Sequence, residues 1–160
     1  MNDLRGDDII DSRDVIKRIE ELEEERQDLQ DALDTAQEEL DETELSEEAT
    51  EEDQDGAKET LDAAKEALGD WDNSDEAEEL RDLKALAEEC ESSPDWSYGE
   101  TLIKDEYFRE YAEQLADDIG AIDSNAGWPL NCIDWDEAAD QLQQDYFQVD
   151  FGSDTYWIRS

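Results

Sequence analysis

Between Gln27 and Ala57 the chain carries 14 carboxylates and not one lysine or arginine. Each further negative charge raises the cost of a compact state, so any fold of this segment must spread its charges along an extended surface. The bias is general: 53 acidic side chains oppose 12 basic ones in 160 residues, there is no histidine, and the formal net charge is −41. Keeping a small domain in solution takes a net charge of only about 2–8 in magnitude. A chain of this charge and low hydrophobicity can stay disordered. Five Trp, five Tyr and three Phe argue instead for a packed core, and all but Trp71 lie from Trp96 onward. The length suits one or two small domains.

Residues 1–12 read as a flexible terminus, with Ser12 as the N-cap of a first helix. From there the apolar residues fall at Val15, Ile19, Leu22, Leu29, Leu33, Ala36 and Leu40, a 4-3-4-3 series interrupted only by Arg26. Sustained heptad spacing makes one narrow apolar seam on a long helix. The pattern fades from Thr43 to Gly56 and returns as Ala57, Leu61, Ala64 and Leu68, with Gly69 in a C-cap position. Residues 13–70 therefore form either an acidic antiparallel helical hairpin, the preferred reading, or a coiled coil with a second copy in a homodimer.

Residues 74–160 read as a small α+β domain, which makes the whole chain mostly α. Ser74 caps a third helix with Ala77, Leu80, Leu83, Ala87 and Cys90 inward. A fourth helix buries Phe108, Tyr111, Ala112, Leu115 and Ile119 and closes at Gly120. Asp134 caps a fifth, with Glu137 at capping-box spacing and Ala138 and Leu142 inward. Phe147, Val149 and Phe151, then Tyr156 and Ile158, alternate as a terminal β-hairpin.

With the seam fixed, the positions farthest from it include Glu20, Glu21, Glu24, Asp28, Asp31, Asp34, Glu38, Asp41 and Glu42, all acidic. A helix over residues 13–44 is about 48 Å long and holds 14 carboxylates, roughly one per 3.4 Å, the axial spacing of phosphates along one strand of B-DNA. A charge run usually marks a solvated face. Ordinary exposed helices, however, interleave Lys with Glu, and residues 71–160, with 25 acidic and 5 basic side chains, repeat the imbalance. Asp117, Asp118, Asp134, Asp136 and Glu137 extend the candidate partner-binding surface into the C-terminal domain.

No catalytic residue, metal site or cofactor is expected. Histidine chemistry is excluded, there is no glycine-rich phosphate loop, and carboxylate pairs at this density arise at any spacing by chance. The EF-hand-like run from Asp70 has Asp75 where the calcium loop needs glycine and Arg81 where it needs glutamate, and a run from Asp123 fails at Trp128. Trp128 itself reads as a core anchor. Cys90 and Cys132 read as reduced, partly buried thiols. Absence of a leader or apolar span points to the cytoplasm of a bacterial cell, with no membrane and no nucleic acid as partner.

The stretch "DEYFREYAEQLADDIGAI", followed by "NCIDWDEAADQLQQDYFQVD", resembles the C-terminal part of the ArdA antirestriction family. The matching positions are Tyr107, Tyr111, Ala112, Gly120, Ala121, Ile133, Asp134, Trp135 and Leu142, within about residues 104–160. The resemblance implies an elongated, dimeric mimic of double-stranded DNA that occupies the DNA groove of type I restriction-modification enzymes. Two features depart from the family: Ala139-Asp140-Gln141-Leu142 stands where its helix has a Gly-Arg-Asp-Leu step, and the acidic hairpin replaces its N-terminal domains.

The expectation is a non-enzymatic DNA mimic whose carboxylates engage the basic DNA-binding groove of a restriction-modification or CRISPR effector protein. The alternative is an acidic chaperone or scaffold that shields a basic nucleoprotein or histone-like partner. A coiled-coil adaptor in which the charge is incidental is a weaker third reading.

Overall fold

The computed structural model describes residues 3–123 and 125–160. Five helices, α1 (Ser12–Leu45), α2 (Glu51–Asp72), α3 (Asp75–Cys90), α4 (Phe108–Asp118) and α5 (Trp135–Leu142), accompany four strands, β1 (Ile9–Asp11), β2 (Thr101–Lys104), β3 (Tyr146–Phe151) and β4 (Asp154–Arg159). The chain is mostly α, with a small antiparallel sheet, as its periodicities require. It divides into two compact units. One comprises Arg18–Arg81; the other comprises residues up to Lys17 with Asp82–Ser160. The division falls later than the expected junction near residues 70–74, because the second half of the third helix belongs with the sheet.

In the first unit α1 and α2 form the hairpin. Ala36, Leu40 and Leu61 are buried together, with Leu33, Ala57 and Ala64 packed around them. The turn is shorter than the fading pattern suggested. Thr50 caps α2: its hydroxyl accepts from the Asp53 amide (3.2 Å) while the Asp53 carboxylate accepts from the Thr50 amide (2.9 Å). The backbone and hydroxyl hydrogen bonds from Thr50 hold the Asp53 carboxyl below its ordinary pKa. Gly69 is not the C-cap. The helix runs on to Asp72, and the Asn73 side-chain amide donates to the Gly69 carbonyl at 2.7 Å, supplying the partner a left-handed glycine would otherwise provide.

In the second unit the strand order is β1-β2-β4-β3, antiparallel throughout. The predicted terminal hairpin is β3–β4, with Phe147 opposite Ile158 and Val149 opposite Tyr156. One face of the sheet packs under α4 and α5, where Ile103, Phe108, Ala112 and Ala139 are buried together. Phe108 is the centre, edge-on to Tyr146 at 5.3 Å and Trp157 at 5.9 Å between ring centroids, a geometry worth about 0.5–1.5 kcal/mol per pair beyond area burial. Ile10, Leu102, Val149, Tyr156 and Ile158 on the opposite face are buried too, so the sheet is covered on both sides. Cys90 is fully buried, and that burial, with Glu89 nearby, pushes its thiol up to about 12; Cys132, expected to be partly buried, is exposed.

Several sequence expectations are corrected. The terminus expected to be flexible over 1–12 is ordered from Ile9, which pairs with Ile103 in the sheet; Met1 and Asn2 lie outside the described residues. The Ser12 hydroxyl does not cap α1. It donates to the Trp96 carbonyl and accepts from the Glu100 amide, both at 2.7 Å, and Asp11 accepts from the Arg13 amide instead. Leu86 and Ala139 are buried, while Ala87 and Ala138 are only partly so. Ile119 and Trp128, both expected in the core, are exposed.

Candidate functional site

α1 contains 34 residues, about 51 Å of helix. Once Leu22, Ala36 and Leu40 are turned inward against their neighbours, the pitch of the helix places every predicted hairpin carboxylate outward. Glu20, Glu21, Glu24, Asp28, Asp31, Asp34, Glu38, Asp41 and Glu42 are all exposed. Two unit charges in water repel by RT at about 7 Å. The average axial spacing of carboxylates on α1 is about half that, so counterions must accumulate along the helix as they do along a nucleic acid.

Beyond its packing against α2, the acidic helix is supported by a neutral brace worth about 0.2–0.5 kcal/mol per pair. The side-chain amides of Gln27, Gln30 and Gln37 donate to Asp31, Asp34 and Asp41, four residues on, at 2.8, 3.0 and 2.9 Å. Lysine at those positions would give the same i,i+4 support but would cancel a charge each time. Glutamine gives the support and leaves the field intact. Sequence reasoning noted the missing lysines and missed this substitute, although the Gln-Asp spacing was readable.

Two of the few cations of the unit tie its helices together. Arg26, the residue that interrupts the heptad, is bound by its Nε to Asp72 at 2.9 Å and so joins α1 to the end of α2. Arg18 makes a two-pronged contact with Glu79 of α3 (3.0 and 2.9 Å), with side chains only 8% and 3% exposed. The Glu79 hydrogen bond raises the Arg18 pKa above its ordinary value. Neither partner stood out in sequence, where both look like members of an exposed charged run.

α2 adds a second exposed row, Glu52, Asp55, Glu59, Asp62 and Glu66, with Lys58 and Lys65 also exposed on that helix; the sequence reading named only the inward residues of α2. The five remaining predicted residues belong to the other unit. Asp117, Asp118, Asp134, Asp136 and Glu137 are all exposed. Two are already engaged: Asp134 caps α5 by accepting from the Asp136 and Glu137 amides, each at 3.1 Å, and Asp136 pairs with Arg109 at 3.1 Å. They are therefore weaker candidates than Asp117 and Asp118.

Among the described residues no group of His, Cys, Asp and Glu is arranged to hold a metal ion, and no helix is long and apolar enough to cross a membrane. Comparisons with protein-family models, curated proteins and solved structures give no match for this chain.

Like charges at this density oppose folding, and salt screens them, the Debye length falling from about 10 Å at 0.1 M to about 3 Å at 1 M. Adding NaCl over that range should raise the midpoint of thermal unfolding followed by circular dichroism. The shift should be roughly 2–4 °C for each kcal/mol of repulsion removed from a chain of 160 residues. A midpoint that falls with salt would mean that attractive ion pairs, not repulsion, dominate the hairpin.

Proposed function

We propose that the protein is a non-enzymatic DNA mimic: its helical carboxylates take the place of phosphates in the basic DNA-binding groove of a bacterial defence protein, a restriction-modification enzyme or a CRISPR effector. The observation that carries this reading is the exposed acidic row of α1, in which Asp31, Asp34 and Asp41 are held by neutral glutamines and no lysine or arginine follows Arg26. A polyanion meant only for solubility needs neither stiffness nor such a regular row. The resemblance of residues 104–160 to ArdA proteins makes a type I restriction-modification enzyme the first target to try.

The test is competition. Protein immobilised at low salt should capture its partner from a bacterial lysate, and duplex DNA should elute that partner at unchanged salt. The affinity of the purified pair should fall steeply with salt, as for DNA itself. Retention of many isolated basic proteins, none displaced by saturating duplex, would instead support an acidic chaperone and overturn the mimic.

A further inference from the structure

We propose that α4 and the described lining residues between it and α5, Ile122, Asp123, Leu130 and Ile133 above all, form a receptor for one arginine side chain of a basic protein partner, with an adjoining, mainly apolar seat for the aliphatic residue beside it. The inference deepens the reading above, since it supplies a second anchor for the same class of partner.

Glu110, Glu113 and Asp117 fall at i, i+3 and i+7 of α4, on the side away from Phe108 and Ala112, which enter the core. Together with Trp135, Leu130 and Ile133 they line a cavity of about 460 Å³, within the roughly 300–1,000 Å³ of small-ligand sites. Among the described residues the three α4 carboxylates make no ion pair and accept no side-chain hydrogen bond. A second cavity of about 420 Å³ shares Ile122, Asp123, Leu130 and Ile133 as a wall and is otherwise bounded by Gly120, Ala121, Ala126 and Pro129, so that Asp123 is its one charged lining residue. The same connection carries Ile119, Trp128 and Leu130 at 69%, 82% and 70% exposure. A surface that only imitates phosphates has no use for these apolar groups. Exposed apolar side chains rimmed by charge mark contact with another protein.

The chemistry of the walls selects the occupant. Carboxylates alone would attract ammonium, guanidinium and metal ions alike. Here the carboxylates, Asp123 among them, face the Trp135 ring and the side chains of Ile122, Leu130 and Ile133, whose carbon cannot replace the oxygen shell of a metal ion or the hydration of a lysine ammonium. A guanidinium is weakly hydrated, stacks its flat face on an aromatic ring and forks its donors onto carboxylates. The mainly apolar cavity next to it fits the neighbouring aliphatic side chain.

The test is a heteronuclear NMR titration of the full chain with N-acetyl-arginyl-leucine amide, alongside its lysyl and citrullyl counterparts. The arginyl peptide should give saturable shifts at the Trp135 indole N–H and along residues 110–117. Loss of a charge-assisted fork should make the citrullyl peptide about tenfold weaker or more, and the Glu113→Gln/Asp117→Asn variant should weaken the arginyl peptide by a similar factor. Leu130→Ser, on an exposed turn, should weaken it severalfold with the fold intact. Equal responses to arginyl and lysyl peptides, shifts spread over the α1 carboxylates, or affinity unchanged in both variants would overturn the receptor. Because the ligand is a small peptide, these outcomes do not depend on whether the partner is displaced by duplex DNA.

Discussion

Exchange of Glu20, Glu24, Asp28, Asp31 and Glu38 for lysine is expected to weaken partner capture by roughly three to four decades. An exposed ion pair contributes about 0.2–1 kcal/mol. At each of five sites an attraction near the middle of that range is lost and a repulsion of similar size is gained. The sum is about 5 kcal/mol, and each 1.4 kcal/mol is a factor of ten. Single exchanges should change affinity less than tenfold, because the field is summed over many groups. Glutamine and asparagine at the same five sites should give about half the effect in free energy and a shallower dependence on salt. All five positions are exposed, so circular dichroism should show an unchanged helix content. Binding by the lysine variant within tenfold of the parent, measured by titration calorimetry, would remove the α1 face from the mechanism.

The second large effect concerns stability. Glu79→Ala takes away the two-pronged partner of the buried Arg18 guanidinium and leaves it only the 3.5 Å contact with Glu21. Removing one member of a buried pair costs about 3–5 kcal/mol, and the remaining contact puts the expected loss at the lower end, about 3 kcal/mol. That is a large share of a typical stability of about 5–15 kcal/mol. The double exchange Arg18→Met/Glu79→Leu replaces both charges by apolar groups of similar length and should restore most of the loss. Urea unfolding resolves the two through the midpoint at constant slope. A double variant as unstable as Glu79→Ala would show that the pair sets the helix geometry and that its charges are not interchangeable with packing.

The contrast between these two sites shows what was legible in the sequence. The seam of α1 could be read because one face of a long helix repeats over many turns, and exposure of the nine hairpin carboxylates followed from it by geometry alone. The Arg18–Glu79 contact could not be read, since its members lie 61 residues apart and each resembles its exposed neighbours. β1 and β2 were missed for another reason. Ile9–Asp11 is too short to show alternation, and Leu102 and Ile103 are buried on opposite faces of a central strand, so the period of two never appears. The cavity beside α4 takes lining residues from both sides of a non-repeating stretch, Ile122 and Asp123 before it and Leu130 and Ile133 after it, so no periodicity announces it. Trp128 was misread as core because a large aromatic side chain usually reports burial, whereas here it is exposed.

The glutamine braces separate two properties that a lysine-laced rod would tie together. A hydrogen bond from a neutral amide contains no pair of opposite ions for dissolved electrolyte to pull apart, whereas the long-range pull on a cationic groove fades as electrolyte is added. Concentrated brine should therefore loosen the grip without melting the handle. Dilution would return a molecule ready to bind again at once, with no refolding in between.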